Sequence, residues 1–482
     1  MNINQKNNKI EGFEGEFLHP SLGIKDKILI LGFRYISKSG DEKEVSLIAK
    51  DDTLELVQIK DFFEFNEKRY FLEKEEKKLA RIEEKWSLRA MKDFVKNFNS
   101  GKTEIIPGPK EIYDEIKELT KKYLELEKEV DYSLLTVWCI GSYFFPIFSA
   151  YPFLNVKAPK RSGKSQCLNF LRQICFNAIK ARPSLAALGD TVNSLKGVYL
   201  IDQADSLKRK GNEDLVDILA DSYKKEGGKR RIVDFGKGKE RRVLELETYS
   251  PKVFASVGEL PEDLRDRCLI IPLIRSQKNF PEPNEENENW KEIRGKLYRF
   301  LIGNYSYIGA TYNVRKVEYR GNPKIVGREL ELWLPFEIMF EFCSKDEVEE
   351  ARKRFKQLYG FTEYEPTEFE EGVVMSIMSS FESKAEAILS PKQISENMDA
   401  EIFSLQDSPK QRAAKVGWVI KKFNLSSEKR PRTKEGVSYL FKKGAVENIY
   451  KSYFKSSIEP TSSTPEAKNN INSDKNIENL VM

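Results

Sequence analysis

The sequence predicts an α/β fold built on a parallel sheet, with a small β-rich module before it and helical modules after it. Three observations carry this. Between residues 131 and 275, apolar runs (Phe153–Val156, Val198–Ile201) and a further strand-like stretch, Ser250–Gly258, alternate with stretches of helical period, as strands buried on both faces of a parallel sheet do. Ala158–Ser165 reads APKRSGKS, the spacing of a phosphate-binding loop, and lies between an apolar strand and a helix-period segment. Residues 13–70 form short runs separated by polar turns such as Ser39-Gly40-Asp41, the texture of a small β module.

In chain order, residues 1–70 are expected to be the β-rich module, with strands over Lys27–Ile36, Glu44–Ala49 and Leu54–Ile59. Residues 71–130, rich in Glu and Lys at helical spacing, form a charged helical connector; 131–285 form the α/β core. Residues 286–362 read as a helical lid, 363–455 as a small helix-rich unit, and 456–482 as a polar, disordered tail. Tyr132–Val156 contains no charged residue and is long enough to span a bilayer. Pro146 and Pro152 interrupt it, and it leads into the phosphate loop. A buried helix over about 132–148 and a buried strand over about 153–157 are expected instead, in a cytoplasmic chain without a membrane span.

Composition narrows the chemistry. His19 is the sole histidine, which excludes His-based zinc sites, Ser-His-Asp triads and histidine general bases. The cysteines (139, 167, 175, 268, 343) form no CxxC pair, which fits a reducing compartment and no zinc module. Chemistry therefore falls to Lys, Arg, Asp, Glu and bound metal.

The loop Ala158, Pro159, Lys160, Arg161, Ser162, Gly163, Lys164, Ser165, with Gln166 opening the helix, carries Ala where the pattern's first Gly stands. Its backbone N–H groups and the helix N-terminus would cradle phosphates, and Gly163 permits close backbone approach. Lys164 would neutralise the β- and γ-phosphates of ATP, and the Ser165 hydroxyl would ligate Mg²⁺. Val198–Ile201 then ends in Asp202, a second Mg²⁺ ligand; a strand-end cap is the other reading of that residue. Between them a strand over about 178–183 and a Ser184-capped helix complete a β-α-β-α-β order.

Two stretches are strongly basic. Lys224–Arg242 has a local charge of +6, and Arg230–Leu244 reads as a hairpin with Gly236 and Gly238 in the turn and Lys237 and Lys239 at the tip. Residues 409–442 carry +8; against a whole-chain +5 this leaves −9 for the remainder. Such segregation suits a nucleic-acid binder, with a merely solvated basic face as the alternative. Ser408–Lys422 is amphipathic, with Arg412 and Lys415 free to face outward, and Arg430–Phe441 makes a wing-like hairpin carrying Arg432.

From about Asp131 to Phe441 the chain resembles AAA+ ATPases of phages, plasmids and archaeal mobile elements of the primase/helicase group, relatives of minichromosome-maintenance and superfamily 3 helicases. The carrying segments are FSAYPFLNVKAPKRSGKS, VYLIDQAD, PKVFASVGELPEDLRDRCLIIPL and GRELELWLPFEIM. The resemblance implies an ATP-hydrolysing, hexameric DNA helicase or translocase with a helical lid and a C-terminal winged helix. It implies a γ-phosphate sensor at Ser256, a trans-acting arginine finger at Arg267 and a second sensor at Arg328. The other reading of Arg267 is an ordinary surface arginine beside the ion pairs of Asp263, Arg265 and Asp266. It also implies a pore hairpin with Lys237 and Lys239 on single-stranded DNA, and Arg412, Lys415 and Arg432 on duplex. The sequence departs from the family at Gln203, where Glu is usual, and at Ser256, where replicative helicases carry Asn; Asp205 or Glu259 is then the candidate base.

Overall fold

The computed structural model describes residues 9–10, 13–25, 27–51, 53–58, 62–72, 79–102, 104–181, 195–235, 241–320, 327–359, 367–381, 384–398, 402–403, 407–429 and 437–453. The chain forms two compact units, Met1–Phe361 and Thr362–Met482.

The first unit opens with an antiparallel meander, Leu22–Lys25, Ile28–Ile36, Glu42–Lys50 and Thr53–Gln58, onto which Ala80–Arg81 pairs in parallel. Alternate side chains of this sheet enter different cores, because successive residues of a strand point to opposite faces. Ile28, Ile30 and Ile48 pack with Leu18, Tyr70 and Leu72 of a second small sheet. Leu29, Leu31, Phe33, Leu47 and Ala49 enter the main core. The second sheet includes a parallel pair, Phe13–Leu18 on Lys68–Leu72. Helices Leu88–Asn99 and Pro109–Tyr123 follow; Ser87 caps the first by accepting from the Ala90 amide.

The apolar run after the connector divides. Its helix spans Glu129–Gly141 rather than reaching residue 148. Ser142 Oγ turns back onto the Cys139 carbonyl (2.6 Å), and Pro146, lacking an N–H, sits in a 3-10 turn Phe145–Ile147. The strand Phe153–Lys157 follows. Among the described residues, no helix is long and apolar enough to cross a membrane.

The central sheet has five parallel strands in the order Ile179–Lys180, Tyr199–Ile201, Lys252–Ser256, Phe153–Lys157, Cys268–Pro272. Helix Lys164–Ile174 follows the phosphate loop and ends earlier than its apolar period suggests. The Phe176 amide donates to Ser142 Oγ (3.1 Å), so a tertiary partner takes the group that would extend the helix. The expected Ser184-capped helix lies outside the described residues. Three helices close the unit: Trp290–Arg320, Arg328–Cys343 and Val348–Leu358. Arg354 on the last donates to buried Asp131 (2.7 and 2.9 Å) and to Glu127 (2.6 Å), tying it to the helix before the core. All five cysteines are buried free thiols.

The second unit packs helices Glu368–Ser379, Pro391–Glu396, Pro409–Lys422 and Lys443–Tyr453 against a small antiparallel sheet of Glu386–Leu389, Tyr439–Lys442 and Glu428–Lys429. Ser390 and Ser408 cap their helices with the same device: Pro at the first helical position and a Gln, 393 or 411, that returns a hydrogen bond. Val373, Ile377, Ile394, Val416, Val419, Ile420 and Phe441 form its core. The expected tail, 456–482, lies outside the described residues.

Candidate functional site

The strand order decides what meets at the carboxyl ends of the sheet. The Lys252–Ser256 strand separates the phosphate-loop strand from the strand ending at Asp202, so Ser256 lies between loop and acid. The crevice outside the carboxyl ends of an open parallel sheet is where such folds bind ligands.

The loop is shaped for an anion. Gly163 has φ +83° and ψ 10°, a left-handed conformation suited to glycine, and Arg161 has φ +64°. The first amides of helix Lys164–Ile174 have no intrahelical acceptors, as at any helix start. Lys164 Nζ donates to the loop carbonyls of Ala158 (2.7 Å) and Pro159 (2.6 Å). Burial lowers its ammonium below the ordinary lysine range, against the pull of Asp205 and Asp202. Ser162 Oγ is buried without a hydrogen-bond partner. A β-carbon built on Gly163 would meet open space. An orphaned hydroxyl and an open cradle beside a lysine fit a phosphate chain. Lys160 and Arg161 are exposed, as is Ser165 at the second helical position, while Gln166 Nε2 donates to the Tyr123 carbonyl (2.9 Å).

Asp202 carries a contact that sequence reasoning missed. Lys180, at the end of the neighbouring edge strand, forms an ion pair with its carboxylate (3.1 Å). The other Asp202 oxygen accepts from the Gln203 amide (2.9 Å). Gln203 itself is exposed, with φ +56° and ψ 44°. Asp205 accepts from the amides of Val257 (3.1 and 3.0 Å) and Gly258 (2.7 Å); burial raises its acidity range, and these bonds outweigh burial and lower it. Glu259 is paired with Lys157, whose ammonium holds its carboxyl below the usual range. Both candidate bases are thus engaged by the protein. Ser256 Oγ lies against Asn155 Oδ1 (3.0 Å) and the Gly258 carbonyl (2.9 Å), and Asn155 Nδ2 is buried without a partner beside it.

A cleft of about 270 Å³ continues from the loop. Tyr123, Leu124, Glu125, Leu273, Ile274 and Phe280 are among its lining residues. The Ile274 amide donates to the Glu125 carbonyl (3.3 Å), and Lys278 pairs with the Glu125 carboxylate (2.9 Å), so these two lining segments run side by side.

Arg267 and Arg328 lie elsewhere. Arg267 precedes Cys268–Pro272, and its carbonyl accepts from the Phe153 amide, which places it at the amino ends of the strands. The phosphate loop begins at residue 158, roughly 20 Å further along the strand at about 3.3 Å per residue. The Arg267 guanidinium is 5.3 Å from the ring centroid of Tyr223, and Arg328 is 5.8 Å from the same ring. Arg267 Nη1 donates to the Asp263 carbonyl, and its Nε is buried without a partner. Arg328 pairs with Asp266 (3.2 Å), whose acidity range burial raises against the pull of Arg328, Arg267 and Arg265. Lys224 stands over Tyr223 as well (5.2 Å) and pairs with Glu331. No side-chain pattern in the sequence announced this convergence of three cations on one tyrosine.

Of the basic stretches, Lys229–Phe235 and Arg241–Glu247 pair as an antiparallel hairpin, with Phe235 opposite Arg241. Its tip, with Lys237 and Lys239, lies outside the described residues, as does Arg432. Arg412 is half-buried: its guanidinium sits 4.9 Å from the Phe403 ring and donates to the Asp407 carbonyl, so it does not face freely outward. Lys415 is exposed and pairs with Asp407 (2.6 Å).

No protein-family profile matches the chain, and no curated protein matches it in sequence. Among solved structures it is similar to the C-terminal region of NrS-1, at 8% identity over 86% of this chain and 96% of that one, with a TM-score of 0.35. A full-length MCM homolog from Methanopyrus kandleri matches at 11% identity over 69% and 77%, also at 0.35. The Aeropyrum pernix ORC1 protein, solved in complex with DNA, matches at 13% identity over 68% and 93%, at 0.18.

Proposed function

We propose that the chain is a Mg-ATP-dependent AAA+ ATPase that acts as a homo-oligomer, a hexamer, and translocates on or unwinds DNA in replicating a virus, plasmid or other mobile element. The observation that carries this is the gathering of the phosphate loop, Lys164, Ser165, Asp202 and Ser256 at one end of a parallel sheet. Lys164 neutralises phosphate charge, the loop amides bind phosphate oxygens, and the cleft lined by Tyr123, Leu124 and Ile274 receives the nucleoside. Ser165 and Asp202 would hold Mg²⁺, which when bound supplies further charge neutralisation. Arg267 lies too far along its own strand for its own loop, which supports action on a neighbouring copy's nucleotide; Arg328, over the same tyrosine, acts beside it. Residues 286–362 serve as the lid. The 229–247 hairpin serves single-stranded DNA through Lys237 and Lys239. The second unit, read as a winged helix, serves duplex through Arg412, Lys415 and Arg432.

The test is phosphate release with Mg-ATP, alone and with single- or double-stranded DNA. Lys164→Ala is expected to abolish release; near-normal turnover in that variant would sink the reading. Removing Lys237 and Lys239 together is expected to abolish DNA stimulation while leaving duplex binding intact.

A second reading, a slow ATP switch that loads or remodels a protein–DNA complex, is favoured by one observation. Gln203 cannot accept a proton, and Asp205 and Glu259 are already engaged. Turnover that DNA fails to stimulate, with tight Mg-ATP binding, would select it.

A further inference from the structure

Trp418 is out of character with the chain's other tryptophans. Trp86, Trp138, Trp290 and Trp333 are each almost completely buried, and the chain has five in all. Trp418 is 56% exposed, on helix Pro409–Lys422. The inward positions of that helix are taken by Val416, Val419 and Ile420. Its outward face carries Lys410, Lys415 and Lys421 around the indole, and the Lys422 ammonium stands 4.7 Å from the indole centroid. From 407 to 429, Lys410, Arg412, Lys415, Lys421, Lys422 and Lys429 face two acids, Asp407 and Glu428, a local +4.

Lysines alone suit any phosphate backbone. A large exposed aromatic ring among them asks for a flat, apolar partner at phosphate distance. A base offers one, but only when unpaired: within duplex both base faces are covered by their neighbours, and proteins stack aromatic rings on bases of single strands or splayed ends. We propose that helix Pro409–Lys422 binds DNA at a junction of duplex and single strand, stacking an unpaired base on Trp418 while Lys410, Lys415 and Lys421 hold the adjoining phosphates. This rests on the reading of the second unit as a DNA binder and narrows its substrate from plain duplex to a forked end. Helix Pro409–Lys422 itself contains no acidic residue; Asp407 just before it is paired with Lys415, and Glu370 with Lys422.

The experiment uses the full chain, a forked DNA and a blunt duplex of equal paired length. Because Trp418 is the exposed tryptophan, iodide-quenchable emission reports on it and should vanish in Trp418→Phe. Saturating fork is expected to quench that emission and shield it from iodide. Trp418→Ala is expected to weaken fork binding about 5- to 100-fold, the range for loss of one stacked base. Blunt-duplex binding and DNA-free ATP hydrolysis should stay unchanged, and Trp418→Phe, which keeps a ring, should retain most fork affinity. Removing Lys410 and Lys421 together should weaken both DNAs and flatten the salt dependence by about 0.7–0.9 per lost contact. If Trp418→Ala binds fork normally, or the fork leaves the indole open to iodide, the stacking inference is overturned and the tryptophan belongs to a protein contact. If the lysine variant also binds both DNAs normally, the reading of this unit as a DNA binder falls with it.

Discussion

Gln203 stands at the end of the Tyr199–Ile201 strand in a left-handed conformation, next to the acid that would meet the metal. Glutamate has the same length and the same backbone tolerance, so Gln203→Glu changes the chemistry and little else. A general base contributes about 10²–10⁴ in rate where one is lacking. Gln203→Glu is therefore expected to raise steady-state phosphate release at least about tenfold, and an unchanged rate would show that the proton leaves by another route. Lys180 makes the complementary case. Its ammonium competes with any cation for the Asp202 carboxylate, so Lys180→Met is expected to lower the Mg²⁺ concentration needed for half-maximal nucleotide binding; an increase would mean that the lysine helps to hold the phosphates. Lys164, Ser165 and Asp202 could be singled out because a loop motif and an acid-terminated apolar strand are local patterns. Lys180 was not, because its partner sits across a parallel strand pair that no local pattern encodes.

The elements divide along the same line. Three of the four meander strands were readable to within a residue or two from short runs between polar turns, and the core strands from their apolar runs; Leu22–Lys25 was not foreseen. The parallel pairing of Phe13–Leu18 with Lys68–Leu72 was not, since its partners are some fifty residues apart and the register is set by shared burial of Leu18, Tyr70 and Leu72. Helix ends were missed where a tertiary hydrogen bond takes over, as at Ser142 and Phe176. The tie between helices Glu129–Gly141 and Val348–Leu358 is a buried ion pair whose carboxylate, Asp131, has no exposed surface. Arg354→Met keeps much of the side-chain volume but leaves that carboxylate without its charge partner. Breaking one side of such a pair costs about 3–5 kcal/mol, and urea unfolding should show a loss of that size; a change under about 1 kcal/mol would mean that Asp131 is hydrated or neutral.

Two properties belong to the first unit and the assembly as a whole. Lys225 is partly buried, donating to the Pro146 carbonyl, and burial lowers its ammonium to about 8. A free lysine in the unfolded chain stays protonated to about 10.5. At neutral pH the folded state therefore carries a penalty, which fades as pH rises from about 8 towards 10.5, where the unfolded chain binds the extra proton. Lys225→Met is expected to raise the melting temperature at pH 7 and to lose most of that advantage only as pH approaches about 10.5; a pH-independent difference would point to packing alone. Assembly has its own test. If Arg267 acts on a neighbour, Arg267→Ala should cost about 10³ or more in turnover with little change in nucleotide affinity. Mixing it with Lys164→Ala subunits should restore part of the activity, whereas a mixture no better than either variant would argue against a shared site. Neither property shows in the linear sequence, because burial of Lys225 and the distance from Arg267 to residue 158 are products of the finished sheet.

If Arg267 acts on a neighbouring copy, the roughly 20 Å between its strand start and the phosphate loop also dictates the symmetry of a working assembly. Each copy would then offer arginines at one end of its sheet and receive them at the other, so the contact would join unlike surfaces, and a two-fold pair could not be its repeating unit. Such head-to-tail contacts either close into a ring or run on as a helical filament, according to the rotation between neighbours. In a closed ring of n copies every nucleotide is sandwiched and none is terminal. In an open one the last copy holds a nucleotide that no arginine reaches, and specific activity then climbs with the length of the array.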